Sequence, residues 1–579
     1  MLAWALLLPA AVAGNGYLVG RRDLPVNTSP PPSGPVHCVA DYEPVAGLLI
    51  AWKDEPQLHG VLAQLVGQVT TVGDADVWIA VEDAARQPFR LRLSQAAGAQ
   101  TNRLHFLVCA LDSPWMRDFG PRYIWEGDCR AVVRFTYDWG QKNDDAFSRF
   151  FAGRMQHALY ELPLRHNGGN FQVSTRGDAH LTRLLTMANP GLTEAELARF
   201  LGDYLGVEVT FHPLSYADPS GHLDMWMLLC DERTVMINYW PFDPGSVADR
   251  VCEAAAGTMA ARGYVVHRLP ARSHAWYENH TYANTVICNN LVLIPSFSHP
   301  AVAPLNAEAL ATWRRAMPRA TVVPIDCEAL VARGGFLHCL VTPIPRPRGG
   351  VHPTVLLQTC RGGQVLRPGA DATIRWISDD DLGVTGVDLL LSTDGGAAFD
   401  QDIASGLAPV GSFRWRVPEL DIPRARIRVV ARDADGHVGH DDSASDLLIQ
   451  PMVDEDLDGL ADDWERDHFG STTVAHGGAD SDQDQDGFSD LAEFLAGTSP
   501  TNAADHLRIG QILRYEADGI RVTWETRNER LYTLSTTTHL GPNTRWQPVY
   551  ETAGDGRSRS YIRSGLTTPT FYRLEARPP

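Results

Sequence analysis

Several short stretches of this chain carry side chains able to do chemistry. Arg333-Gly334-Gly335-Phe336-Leu337-His338-Cys339 delivers a thiol after two glycines, residues that permit a tight turn or the close approach of a ligand. A thiolate is the strongest nucleophile among ordinary side chains when cationic neighbours lower its pKa. A cysteine in apolar company is otherwise a small hydrophobe, so Cys339 needs partners to count. Ser220-Gly221-His222-Leu223-Asp224-Met225-Trp226 supplies an imidazole and a carboxylate two positions apart. In a strand those two would share a face and could serve one site, although such pairs are more often exposed surface. Asp112-Ser113-Pro114-Trp115-Met116-Arg117-Asp118-Phe119-Gly120-Pro121 holds an adjacent opposite-charge pair, more often an ion pair than a clamp. Asn167-Gly168-Gly169-Asn170-Phe171 and Tyr282-Ala283-Asn284-Thr285 complete the set.

A different chemistry is written into an acidic block. Asp454-Glu455-Asp456-Leu457-Asp458-Gly459 followed by Glu465 fits D-x-D-x-D-G-x5-E, and Asp482-Gln483-Asp484-Gln485-Asp486-Gly487 followed by Glu493 fits it again. Calcium takes six to eight oxygens, Gly supplies the sharp turn, and the final Glu closes the site bidentately. The expected ligands are Asp454, Asp456, Asp458, Leu460 through its carbonyl, Asp462 and Glu465. In the second loop they are Asp482, Asp484, Asp486, Phe488 through its carbonyl, Asp490 and Glu493. A solvated acidic linker would not place Gly and Glu in register twice. Ala461 and Ser489 stand where a paired EF-hand carries a large aliphatic. The block therefore resembles dockerin-type or thrombospondin type 3 repeats, with structural calcium stiffening a spacer.

The elements that must position these groups follow from length and pattern. The chain has 579 residues and a net charge of −20, too long for one core. Residues 453–493 hold fourteen acidic side chains and one basic one, so most of the charge is local. No clustered Lys/Arg suggests a nucleic-acid partner. Nine cysteines without a CxxC pair exclude a zinc framework and a dense disulfide scaffold, and Cys339 is a candidate free thiol. Residues 1–13 are an apolar run ending Ala11-Val12-Ala13, a cleavage-type pattern too short to span a bilayer. That predicts a signal peptide, a secreted or cell-surface protein and no transmembrane segment. Residues 14–37, rich in Pro, Gly, Asn and Ser, read as a linker. From 38 to 346, apolar runs such as Gly47–Trp52 and Leu291–Pro295 alternate with helical stretches such as Leu192–Tyr204 and Ala307–Met317, which predicts α/β structure. From 351 to 451, Val387/Leu389/Leu391, Phe413/Trp415/Val417 and Ile427/Val429/Ala431 alternate between Asp394-Gly395-Gly396 and Asp435-Gly436 turns. This predicts an immunoglobulin-like β-sandwich. Calcium-binding repeats over 453–505 and a small all-β module over 506–579 complete the multidomain plan.

The Trp-x-Arg-Asp, Gly-Gly-Asn, His-x-Asp and Gly-Gly-x-x-His-Cys motifs occur together in one order, after an opening Tyr42-Glu43-Pro44 through Ala51-Trp52. Over residues 38–346 the chain resembles the agmatine deiminase and bacterial-type peptidylarginine deiminase family. The resemblance implies a pentein fold, a pseudo-five-fold α/β propeller. It also implies roles: Asp118 and Asp224 grip a guanidinium, Cys339 is the nucleophile, His222 the acid/base, and Trp115, Asn167 and Asn284 line the substrate. Two carboxylates match a planar guanidinium bidentately and hold its carbon over sulfur. The reaction passes through a thiouronium to a ureido product and ammonia, with no metal or organic cofactor for catalysis.

The branch within the family is read from departures. Agmatine deiminases show Glu-Gly-Gly where this chain has Asn167-Gly168-Gly169, which favours an arginyl peptide or protein as substrate. Trp139-Gly140-Gln141-Lys142 resembles the agmatine branch, and the loop 138–146 offers Lys142 as its one cation for a substrate carboxylate. The expected activity is therefore conversion of peptidylarginine to peptidylcitrulline, with agmatine to N-carbamoylputrescine as the alternative. An amidinotransferase within the same fold and a non-catalytic calcium-stabilised surface or binding protein are further readings.

Overall fold

The structure, a computed structural model, describes residues 24–215, 220–275, 278–472, 481–515, 518–528, 530–542 and 544–578. The expected signal peptide lies outside the described residues. Contacts divide the chain into two units, one reaching Pro347 and one formed by Val26–Gly34 with Arg348–Pro579.

The first unit repeats one construction five times. A short strand runs antiparallel to a second, and a helix then carries the chain to a third strand parallel to the second. Arg122–Glu126, Cys129–Tyr137 and Ala158–His166 form one such sheet around helix Lys142–Met155. Gln172–Val173, Asp178–Thr182 and Glu208–His212 form the next. Met227–Leu229, Thr234–Tyr239 and Val265–Pro270 follow, crossed by helix Val247–Ala261. Val286–Cys288, Leu291–Ser296 and Thr321–Asp326 come fourth, crossed by helix Leu305–Ala316. The fifth sheet closes the unit, because Val341–Pro345 pairs antiparallel with the early strand Val45–Ala51, which runs parallel to Asp76–Val81.

Local sequence explains the pieces. Helix Glu194–Leu205 starts at a capping box, with Thr193 and Glu196 exchanging side-chain and backbone bonds, and stops at Gly206 in the left-handed region. Its buried residues Leu197, Phe200, Leu201, Tyr204 and Leu205 fall at helical spacing. Central strands are covered on both faces and so read as continuous apolar runs. Leu48, Ile50, Val77, Ile79, Leu291 and Leu293 meet in one core.

Those repeats decide where chemistry can gather. The stretches bearing Asp118, Gly169, Asp224, Asn284 and Cys339 each end immediately before the first strand of a different sheet. Five repeats therefore present five entry turns, and each singled-out motif occupies one of them.

In the second unit, Thr354–Leu357, Asp371–Asp379 and Gly411–Arg416 form one sheet. Val365–Leu366, Leu447–Ile449, Ile422–Asp433, Val384–Ser392 and Gln401–Leu407 form the other. The alternating Val387, Leu389, Leu391, Ile427, Val429 and Ala431 share a buried core with Trp415 and Val417. The acidic segment adds two short helices, Asp462–Phe469 and Asp490–Ala496. The C-terminal module has two three-stranded sheets around Val522, Trp524, Tyr532, Leu534, Tyr550 and Tyr561. The stretch expected as a linker is partly structural. Val26 N donates to Ser564 Oγ at 2.8 Å, and Thr28 Oγ1 donates to the Ile562 carbonyl at 2.7 Å. The Val26 N–H is thus paired with the C-terminal module. Among the described residues no helix is long and apolar enough to cross a membrane.

Candidate active site

Asp118 sits on the single helical turn Met116–Phe119, where successive side chains diverge. The neighbours Arg117 and Asp118 therefore do not pair with each other. Arg117 Nη1 donates to Asp41 Oδ1 at 3.0 Å, while Asp118 Oδ1 accepts from Gly169 N at 3.3 Å and lies 3.4 Å from His222 Nδ1.

His222 and Asp224 reach the site by a route other than a strand. His222 is extended backbone leading into the 3₁₀ turn Leu223–Met225 that contains Asp224. The period-two argument fails here because Gly221, at φ +68°, turns the chain just before His222. Both side chains nevertheless converge. A Cβ at Gly169 would lie 2.7 Å from Asp118 Oδ1, 2.7 Å from His222 Nδ1 and 3.3 Å from Asp224 Oδ1. Glycine there leaves open the space that three polar side chains surround. Asp224 Oδ1 and His222 Nε2 are buried with no hydrogen-bond partner, which is costly unless a ligand completes them.

Cys339 lies in the 3₁₀ turn His338–Leu340, 4% exposed. Its Sγ is 3.7 Å from Asp224 Oδ2 and 3.1 Å from Asn284 Nδ2. Asn284 Oδ1 also accepts from the backbone N–H groups of His338 and Cys339 at 3.0 and 3.3 Å. The Asn284 amide thus holds the cysteine turn beside the site. Trp115 is half-buried, and Gly335 lies between it and the thiol. A Cβ at 335 would come within 2.8 Å of the Trp115 ring and 3.3 Å of Cys339 Cβ.

Charge follows from this crowding. Burial, then the nearby Asp224 and Asp138, push the Asp118 carboxyl well above the carboxylate range. Burial, then Asp224 and Asp118, push the Cys339 thiol up as well. Burial lowers His222 to about 4, against the pull of Asp224. Without substrate, sulfur and imidazole are thus both neutral, and the cation that favours thiolate must arrive with the substrate. Asp138 is a third buried carboxyl. Burial raises it to about 6 against the Asn167 hydrogen bond and Arg165. Asp138 Oδ1 and Asn167 Oδ1 are buried without partners.

The acidic loops form a second cluster. The carboxylates of Asp454, Asp456 and Asp458 gather within 4.8 Å of one another, as do those of Asp482, Asp484 and Asp486. The first aspartate of each loop makes the same two bonds. Asp454 accepts from Asp458 N and Gly459 N, and Asp482 from Asp486 N and Gly487 N. Leu457 and Gln485 both adopt positive φ. Glu465 and Glu493 are buried, and burial followed by the loop aspartates raises both to about 7. Both Glu465 oxygens lack a hydrogen-bond partner. Asp462 and Asp490, also expected as ligands, stand at the start of the exiting helices. Asp462 accepts from Glu455 N and pairs with Arg466, and Asp490 accepts from Gln483 N and Ser481 Oγ. Their oxygens brace the loops because each begins the exiting helix, where a carboxylate satisfies nearby backbone donors.

The family model for Porphyromonas-type peptidyl-arginine deiminases matches residues 37–345, more than half of the chain. The chain belongs to that family. It is a hydrolase of the deiminase type, acting on guanidino groups. The agmatine deiminase of Pseudomonas syringae pv. syringae is 25% identical over 377 residues, covering 56% of this chain and 98% of that protein. That of Pseudomonas aeruginosa (strain LESB58) is 26% identical over 283 residues, covering 41% and 76%. The solved agmatine deiminase of Enterococcus faecalis is 17% identical, with a TM-score of 0.48, covering 54% of this chain and 96% of that one.

The peptidyl-arginine deiminase motifs thus meet where the five entry turns meet. Asp118, Gly169, His222, Asp224, Asn284 and Cys339 form one cluster, with Trp115 beside it and Asn167 joined to Asp138. Asp41, Asp138 and His338 were not singled out from the sequence as site residues. His338 was quoted within its motif but given no role. Asp41 has partners nearly 300 positions away, which no local spacing could announce. Cys339 forms no disulfide.

Proposed function

We propose that this deiminase acts on arginine within a peptide or protein, releasing ammonia and leaving citrulline. The observation that carries the chemistry is the buried cluster of Asp118, His222 and Asp224 around Gly169, beside Cys339. A guanidinium seated between two carboxylates supplies the missing positive charge, and the thiol gives its proton to neutral His222. Thiolate adds to the guanidinium carbon. Protonated His222 returns the proton to the departing nitrogen, which leaves as ammonia. Water then adds to the thiouronium while His222 accepts one of its protons; as the carbon–sulfur bond breaks the other passes to the departing sulfur, leaving the ureido product, the thiol and a His222 that returns its proton to solvent.

Substrate choice rests on what lies beyond the guanidinium. The surroundings are lined by carboxyl groups, with Asp138 joining Asp118 and Asp224, and Lys142 is exposed. A free arginine carboxylate desolvated there would be an unpaired charge, costing several kcal/mol. An internal arginine brings no such charge. One observation favours agmatine as the second reading: Asp138, bonded to Asn167, restores a carboxylate beside the position where the agmatine branch carries Glu. The test is kcat/KM, from ureido product, for an arginyl peptide, agmatine and free arginine in parallel. The peptide is expected to lead and free arginine to trail. Such pocket contacts are worth roughly 10–200-fold, and an agmatine advantage of about tenfold or more would transfer the protein to the agmatine branch.

The acidic loops are proposed as structural calcium sites, with Asp454, Asp456, Asp458 and Glu465, and Asp482, Asp484, Asp486 and Glu493, as side-chain ligands and Leu460 and Phe488 as carbonyl ligands. Each loop leads into one short helix, the build of dockerin-type repeats. With an immunoglobulin-like reading of the two-sheet sandwich, they form a stiffened spacer suited to a secreted or cell-surface enzyme, where calcium is plentiful.

A further inference from the structure

His338 is buried, 1% exposed, and both of its ring nitrogens face carboxylates. Nδ1 lies 2.7 Å from Asp224 Oδ2, and Nε2 lies 3.0 Å from Asp41 Oδ2. A neutral imidazole has one N–H and one lone pair. Between two carboxylate oxygens it would aim that lone pair at an anion. A doubly protonated ring donates to both, and charge-assisted bonds of this kind are the strong ones.

Asp41 is placed to keep the ring in that state. Its Oδ1 accepts from Arg117 Nη1 at 3.0 Å, with Arg122 Nη1 at 3.8 Å. The result is an alternating buried row: Arg117, Asp41, His338, Asp224. Arg117 Nε also donates to the His338 carbonyl at 3.4 Å, and Asn284 Oδ1 holds the His338 and Cys339 N–H groups together. The groups facing the imidazole are therefore Asp41 and Asp224, with Arg117 behind the first and the Cys339 thiol sharing Asp224 Oδ2 at 3.7 Å.

We propose that His338 is a positioning residue, an imidazolium clamped between Asp41 and Asp224 that keeps Asp224 ionised and leaves its Oδ1 free for the guanidinium. Two like carboxylates in one site do not both ionise easily. The clamp gives Asp224 a charge-assisted partner at Oδ2 and leaves Oδ1 facing the site. The ring touches neither sulfur nor substrate in this role; it acts through Asp224.

The inference rests on guanidino deimination and not on the choice of peptide over agmatine. Its first test needs no turnover. Full-length protein carrying ¹⁵N-histidine is examined by NMR at pH 7.5, with His338→Gln assigning the signal. Two protonated ring nitrogens are expected; an unprotonated ring nitrogen at His338 overturns the proposal. The second test is Asp41→Asn, assayed on agmatine and an arginyl peptide. Loss of such an outer partner costs roughly 10–100-fold in kcat/KM, and His338→Gln, able to serve only one carboxylate, should lose more. An Asp41→Asn enzyme with wild-type kcat/KM and an unchanged melting temperature overturns the clamp, because packing alone would then account for the row.

Discussion

Carboxylates crowd together in two places in this chain, and the two clusters are assembled differently. Asp118, Asp138 and Asp224 come from three separate elements of the five-sheet unit and are buried. Asp454, Asp456 and Asp458 come from one short loop, as do Asp482, Asp484 and Asp486. In the first cluster the fold enforces the crowding, so the carboxyl groups cannot move apart and one of them gives up its charge. In the second, Asp454, Asp458, Asp482, Asp484 and Asp486 accept from backbone N–H groups of their own loops. The first cluster also has a nucleophile beside it; the second has the His506 imidazole, its Nδ1 2.9 Å from Asp486 Oδ2. Rigid, dry crowding suits a planar organic cation that must be held over sulfur. Flexible, half-wet crowding suits a hard spherical ion.

The difference can be broken most directly at sulfur. Cys339→Ser should reduce ureido formation by roughly 10⁴-fold or more with an unchanged melting temperature. Residual wild-type turnover would remove sulfur from the chemistry and leave the two clusters equivalent as cation sites. Next in size are the carboxylates. Asp118→Asn and Asp224→Asn should each lower kcat/KM by about 10²–10³-fold, as losing one partner of a buried charge pair costs about 3–5 kcal/mol. Asp454→Asn and Asp482→Asn should leave kcat/KM within about twofold, since surface substitutions remote from a site usually act within about 0.5 kcal/mol. Equal losses in both sets would make calcium a regulator of the active site.

A pH experiment sharpens the contrast. The Asp118 carboxyl is raised by burial and its acidic neighbours, so it holds a proton that the incoming guanidinium must expel. Binding therefore releases a proton, and KM should rise as pH falls, by up to about tenfold per pH unit. KM that is flat with pH would show that Asp118 is already ionised. The smallest effect on activity is expected from chelation. EDTA should increase protease cleavage within residues 453–505, because ion binding and loop ordering are linked, while kcat/KM changes by less than about twofold. Unchanged cleavage would mean that the loops order themselves without an ion.

The sequence carried the groups that one short stretch can assemble. Each calcium-type loop places its turn, glycine and glutamate within a dozen positions, so its geometry was legible in the chain. Strand alternation likewise showed which side chains of 384–392 and 422–433 face the sandwich core. The resemblance of ordered motifs named Asp118, His222, Asp224 and Cys339. What tertiary structure alone decided was their meeting. Five sheets repeat one construction, and only their closure brings five entry turns together. It sent Arg117 to Asp41 and left Asp118 to the site, brought Asn284 onto the cysteine turn, and set His338 between acids 114 and 297 positions away. It also left the Cys339 thiol neutral among carboxylates. Burial and through-space charge fix those protonation states, and neither has a local signature in the chain.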